Sequence, residues 1–96
     1  MDIKFEWDPN KAGQNLHKHK VSFEEAATVF RDEVSITLPD PDHSLEENRC
    51  ITIGASSRVR LLMVAHTDRG DHIRIISARE LTPRERKQHE EGNRNG

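Results

Sequence analysis

Arginine and histidine are the residue types in this chain best suited to chemistry, and they are not spread evenly. The stretch IRIISARELTPRERKQHEE, Ile73 to Glu91, carries Arg74, Arg79, Arg84 and Arg86 together with His89. Arginine's planar fork holds a phosphate or carboxylate through two parallel hydrogen bonds, so such a run suits a negatively charged ligand. Other chemistries are poorly supplied. Six histidines invite a metal site, but His17 and His19 stand two apart and point to different sides of a helix. No HExxH, cysteine pair or calcium-loop pattern occurs, so no metal and no other cofactor is expected. His43 falls in an acidic loop, and His66 and His72 flank a turn. Cys50, the single cysteine, lies in a strand pattern and reads as a small buried hydrophobe, not an activated thiolate. The five glycines are scattered, which excludes a glycine loop cradling phosphates.

What remains is a basic constellation with histidines. Arg79 closes an apolar strand where a helix begins. Simple alternation puts Ile73, Ile75, Ser77 and Arg79 on one face of that strand and Arg74, Ile76 and Ala78 on the other. Arg86 and His89 are three apart on the following helix and therefore neighbours. Lys11, Lys18 and His19 offer further groups from the first helix, and Arg49 and Arg60 add charge from the middle strands. RNA cleavage without a metal needs such a set. The 2′-hydroxyl must lose a proton as it attacks, the phosphorane needs positive charge, and the departing 5′-oxygen needs a proton. Arginine and lysine supply the charge. A histidine, or a carboxylate such as Glu85, can carry the protons. The plainer reading makes Lys11 and Lys18 solvated helix charges, His89 an exposed residue near the tail, and Arg79 a salt-bridge partner of Glu85 or Glu6.

Composition frames these residues. Ninety-six residues suit a single domain spanning 1–96, with 1–91 ordered and 92–96 a flexible tail. Charged side chains make up 33% of the chain, above the usual share of about 25%, so the core is modest and a covering partner is plausible. Residues 1–48 hold 5 basic and 11 acidic side chains, whereas residues 49–96 hold 10 basic, nine of them arginine, and 6 acidic. One cysteine cannot form an intrachain disulfide, which fits a reducing cytosol. The opening MDIKFEWDP has no apolar signal core, and no run is long enough to span a membrane, so a soluble cytoplasmic protein is expected.

Local patterns supply the elements that must position the site. Ile3, Phe5 and Trp7 alternate with charges, as in a strand with one buried face. DPNKAGQNLHKH reads as a helix capped by Asp8, with Pro9 at its first position and Ala12 and Leu16 sharing a face. VSFEEAATVF reads as a second helix, with Ser22 and Glu25 as a capping box and Phe23, Ala26, Ala27 and Phe30 as its core stripe. Residues 34–38, 49–55, 60–67 and 72–79 read as strands, the third apolar on both faces and hence central. Thr82, Pro83 and Glu85 then open a last helix. The order β-α-α-β-β-β-β-α predicts an α+β domain with two N-terminal helices and a C-terminal helix on one antiparallel sheet.

Two blocks together resemble a known family. FEWDPNKAGQNLHKHKVSFEEAATVFRD, 5–32, resembles the N-terminal signature of the BrnT family, F-x-W-D-x-x-K-x-x-x-N-x-x-K-H-G-V-x-F-x-x-A. ENRCITIGASSRVRLLMVAHTDRGDHIRIISARELTPRER, 47–86, resembles the remainder: E-x-R, I-G, an apolar strand, then R-I-I-S-A-R-x-x-[ST]-x-x-E-R. The resemblance implies a RelE-like fold and a toxin of a bacterial type II toxin–antitoxin system. It also implies a metal-independent endoribonuclease that arrests translation. The implied partners are RNA and a BrnA-type ribbon-helix-helix antitoxin, in a hetero-oligomer that meets operator DNA only through the antitoxin. The family pattern falls on Trp7, Asp8, Lys11, Asn15, Lys18, His19, Glu47, Arg49, Arg74, Arg79, Glu85 and Arg86. In this reading Trp7 and Asn15 are structural. Arg79 and Arg86 stabilise the phosphate, Lys11, Lys18, Arg49 and Arg74 bind the RNA backbone, and His19 or His89 transfers protons. Lys20 replaces the usual glycine, which implies a less comfortable backbone there. His89 replaces an aromatic, often tyrosine, so a tyrosine-dependent step is not available. Two other classes fit the basic half: a non-catalytic nucleic-acid-binding module and a protein-interaction domain for an acidic partner.

Overall fold

Asp8 ends the first extended segment and starts the first helix, its carboxylate accepting the Asn10 N–H at 2.8 Å. That local event sets the direction of everything that follows. The computed structural model describes residues 3–43 and 48–95, with backbone alone for 93–95. Its elements are β1 (Lys4–Glu6), α1 (Pro9–His19), α2 (Phe23–Thr28), β2 (Ile36–Pro39), β3 (Arg49–Ala55), β4 (Leu61–Arg69), β5 (His72–Glu80) and α3 (Pro83–Asn95). A 3-10 turn at Val29–Arg31 extends α2, and another at Pro41–His43 follows β2. The last helix runs to Asn95. Glu47, one of the family-pattern residues, lies outside the described residues.

The five strands form one sheet in the order β1-β5-β4-β3-β2. The apolar strand Leu61–Arg69 is central, as its composition requires. The expectation of a purely antiparallel sheet is corrected, because β1 pairs with β5 in parallel, Phe5 opposite Ile73. A period-2 pattern reports which side chains are buried but not strand direction, and the partner of β1 is the last strand of the chain. Hairpin geometry therefore had nothing to say about it.

One face of the sheet carries the core. Val21, Phe23, Ala26 and Val29 pack on Leu62, Val64, Ile75 and Ala78, with Phe5, Trp7, Ala12 and Phe30 around them. Burying each such side chain is worth roughly 1.5–3 kcal/mol, so this layer holds α1 and α2 to the sheet. In α1 the inward residue is Asn15, whereas Leu16 stays half exposed. Asn15 donates to the Val21 carbonyl at 2.9 Å and the Ala78 carbonyl at 2.8 Å, and accepts the Ala78 N–H at 3.1 Å. This side chain pins the end of α1 to β5. Lys20 closes the helix in the left-handed region at φ 60, the conformation that glycine adopts without cost.

A bulge in β5 decides what the opposite face carries. Ala65 pairs with Ser77, but its neighbour His66 pairs with Ile75, leaving Ile76 as an extra residue. The alternation shifts by one there, which corrects the simple split of faces. Directly opposed residues share a face, and the pairs Thr67–Arg74, Ala65–Ser77 and Met63–Arg79 put Arg74, Ser77 and Arg79 together. Thr67 also opposes Arg49, which joins them.

Candidate functional site

On this second face His19, Asp40, His43, Arg49, Met63, Ser77 and Arg79 line one cleft of about 260 Å³. Each arrives for a local reason. Arg49 opens β3, Arg79 stands one residue from the end of β5, and His19 is the last residue of α1. The Asn15 clamp on Ala78 holds that last turn beside Arg79. Asp40 and His43 come from the turn after β2.

Arg79 is already engaged. It donates from Nη1 to Glu85 Oε1 at 2.7 Å and from Nη2 to Oε2 at 2.9 Å, with Nη1 also reaching the Glu80 carbonyl at 3.2 Å. Glu85 accepts the Thr82 N–H at 2.9 Å as well, and Thr82 Oγ1 accepts the Glu85 N–H at 3.2 Å, completing a capping box for α3. The Arg79 guanidinium, then the Thr82 N–H, pull the Glu85 carboxyl down to about 2. So strong an acid neither holds a proton nor takes one readily near neutral pH, which removes Glu85 from the proton carriers. The plainer expectation of an Arg79–Glu85 salt bridge is thus met. The pair is nevertheless about one-third exposed, and its arginine lines the cleft.

Asp40 organises the other wall. It is buried, and its Oδ2 lies 3.1 Å from His43 Nδ1 and 3.4 Å from Arg49 Nε. Its Oδ1 accepts the Asp42 N–H at 3.0 Å, and its carbonyl accepts the His43 N–H at 3.2 Å. From the sequence, His43 reads only as part of an acidic loop. The signal that could have found the pair is the spacing of three between Asp40 and His43, with Arg49 at the head of the next strand.

A second groove, lined by Lys11, Gln14, Lys18, His19, Ile76 and Ser77, shares His19 and Ser77 with the first and prolongs it along α1. The expected set is therefore partly gathered. Lys11, Lys18, His19, Arg49 and Arg79 line two adjoining grooves that share His19, and Arg74 shares the sheet face at the far end of β5. Arg86 is exposed on α3 and lines neither groove. His89 points instead into a separate cleft between α3 and the sheet, beside Leu38, Ile53, Met63 and Leu81. Arg60 is elsewhere, held by Glu25. Burial pushes the Cys50 thiol up, in keeping with an unreactive side chain. His66 is fully buried between Thr52 and Asp68, and burial pulls its imidazole down. Among the described residues no group of three or more histidine, cysteine or acidic side chains is arranged to hold a metal ion, and no helix is long and apolar enough to cross a membrane.

Comparison with known proteins places this geometry. The family described as ribonuclease toxin, BrnT, of type II toxin-antitoxin system matches residues 7–85. The fold is similar to that of the crystal structure of the Brucella abortus ribonuclease toxin, BrnT, with a TM-score of 0.67 at 20% identity. That similarity covers 84% of this chain and 99% of the Brucella chain. No curated protein sequence matches.

Proposed function

The chain belongs to the BrnT family of ribonuclease toxins of type II toxin–antitoxin systems, and from that premise we propose that it cuts RNA in the cleft between β3, β5 and the end of α1. The observation that carries this reading is the convergence of Arg49, Arg79 and His19 on one depression, extended by Lys11 and Lys18. Two guanidinium groups supply the positive charge that an attacked phosphate needs, so the reading assigns the phosphorane to Arg79 and Arg49 and requires no metal. Lys11, Lys18 and Arg74 hold the flanking backbone. His19 carries a proton at the reacting centre. Arg86 and His89, on the helix that Glu85 ties to Arg79, belong to the flank of the site. To bind, a phosphate takes the place of the Glu85 carboxylate on Arg79.

The same reading extends to the cell. Cleavage arrests translation in the cytoplasm, in the manner of RelE-type ribonucleases. A BrnA-type ribbon-helix-helix antitoxin covers the basic cleft with acidic surface in a hetero-oligomer, and operator DNA is met only through that antitoxin.

The test is incubation of antitoxin-free protein with total bacterial RNA in EDTA, with and without translating ribosomes, beside Arg79→Ala. Fragments from the wild type and not from the variant support the reading. Intact RNA in every sample, with salt-dependent RNA binding, supports a non-catalytic binding module instead. Intact RNA without binding leaves a domain that meets only an acidic protein.

A further inference from the structure

His43 and Asp40 have no part in the reading above, yet they stand in the wall of the same cleft. Asp40 is 5% exposed, and a buried carboxylate is costly unless paired. Its partners are the His43 imidazole and the Arg49 guanidinium. An ionised carboxylate only accepts hydrogen bonds, so His43 Nδ1 must donate to it. That fixes the tautomer: the lone pair of the neutral ring is on Nε2, the nitrogen turned away from Asp40. The side chain of His43 is 40% exposed and lines the cleft, so a substrate there can reach the ring. A carboxylate behind an imidazole is the arrangement that orients a general base and stabilises the imidazolium it becomes.

We propose that His43 is the general base of the ribonuclease reaction and Asp40 its positioning residue, an assignment that rests on the ribonuclease reading above. As the 2′-oxygen bonds to phosphorus, its proton passes to His43 Nε2. The bond from phosphorus to the 5′-oxygen breaks, and that oxygen leaves with a proton from His19, which enters the step protonated. The products are a 2′,3′-cyclic phosphate and a 5′-hydroxyl, and water returns the proton from His43 to His19. Arg49 has two tasks here. It faces the phosphate and shares the carboxylate that orients the base, so the charge and the base stay in register.

The experiment is single-turnover cleavage by the full chain, on RNA or ribosome-bound message, for wild type, His43→Ala, Asp40→Asn and the double variant. Binding to an uncleavable 2′-deoxy analogue and thermal unfolding are measured alongside. His43→Ala is expected to stay folded, bind the analogue like the wild type, and cleave about 100-fold or more slowly. Added imidazole should restore much of that loss, which no structural role for His43 would allow. Asp40→Asn should slow cleavage by itself but add less to His43→Ala than it costs alone, because the part of its effect that runs through His43 is already gone and only the part through Arg49 remains. Cleavage by His43→Ala at close to the wild-type rate overturns the proposal. So does a loss that imidazole does not relieve, one that follows loss of binding, or a full further loss in the double variant. A wild type that cuts neither substrate refutes the underlying ribonuclease reading, and this assignment with it.

Discussion

Two arginine–glutamate pairs brace this molecule, one buried and one partly exposed. Glu25 in α2 is buried, with Arg60 bridging both its oxygens, Nε at 2.9 Å from Oε2, while Ser56 donates to the same Oε2 at 2.7 Å. Arg60 reaches the Lys20 carbonyl at 3.0 Å as well, so the group locks the end of α1, the start of α2 and the turn before β4. The hydrogen bond from Arg60 holds the Glu25 carboxyl below its usual range against the opposing effect of burial. Glu85 and Arg79 also make a bidentate contact, through Nη1 and Nη2, about one-third exposed and beside a cleft. The lesson is that bidentate geometry does not by itself separate a structural pair from a functional one. Access does. The Glu25 carboxylate is 5% exposed and the Glu85 carboxylate 30%, so water reaches the second far more readily than the first.

Mutations should pull the two pairs apart. Arg60→Ala leaves the buried Glu25 carboxylate with only the Ser56 hydroxyl and the Arg58 guanidinium 3.9 Å away, and should cost about 3 kcal/mol of stability in urea unfolding, with little change in cleavage per folded molecule. Arg79→Ala should do the reverse, lowering cleavage about 100-fold while costing only about 1 kcal/mol or less of stability. If the two variants behave alike, the distinction fails. Acid should reach the exposed pair in a definite window. The Glu85 carboxyl is depressed to about 2 in the folded chain from an ordinary value of 4.5. Its contribution is therefore complete above about 4.5 and disappears as pH falls toward about 2. Unfolding of wild type and Glu85→Gln across that window should converge at the acid end, and a constant difference between them would contradict the assignment. The smallest effects belong to the flank. Lys18→Ala and Arg86→Ala should each weaken RNA binding evenly across sequences and reduce the salt slope by about 1.

Sequence reading succeeded where the controlling interaction is short-range. The Asp8 cap, the Ser22 cap and the Thr82–Glu85 box follow rules that span three residues, and strand Arg49–Ala55 lies where its pattern put it. It failed where distant segments decide. Nothing local says that β1 joins β5 in parallel, or that Ile76 is an extra residue in the ladder. The bulge matters most for the site, because it turns Arg74 and Arg79 to one face after alternation had divided them. Glu25 shows the limit of a motif in another way. Ser22 caps its N–H at 3.0 Å as the box predicts, but its carboxylate goes to Arg60, far along the chain. Asn15 replaced Leu16 as the buried residue of its helix because two backbone groups of β5 and the Val21 carbonyl needed partners.

The most direct test of the exchange at Arg79 is nuclear magnetic resonance of the arginine side-chain N–H groups during titration with an RNA carrying a 2′-deoxy substitution at the cleaved position. Movement of the Arg79 and Arg49 signals to saturation, with Arg60 stationary, is the predicted result. An RNA that saturates the protein while the Arg79 signals stay in place would contradict the account, because phosphate would then bind somewhere other than the cleft.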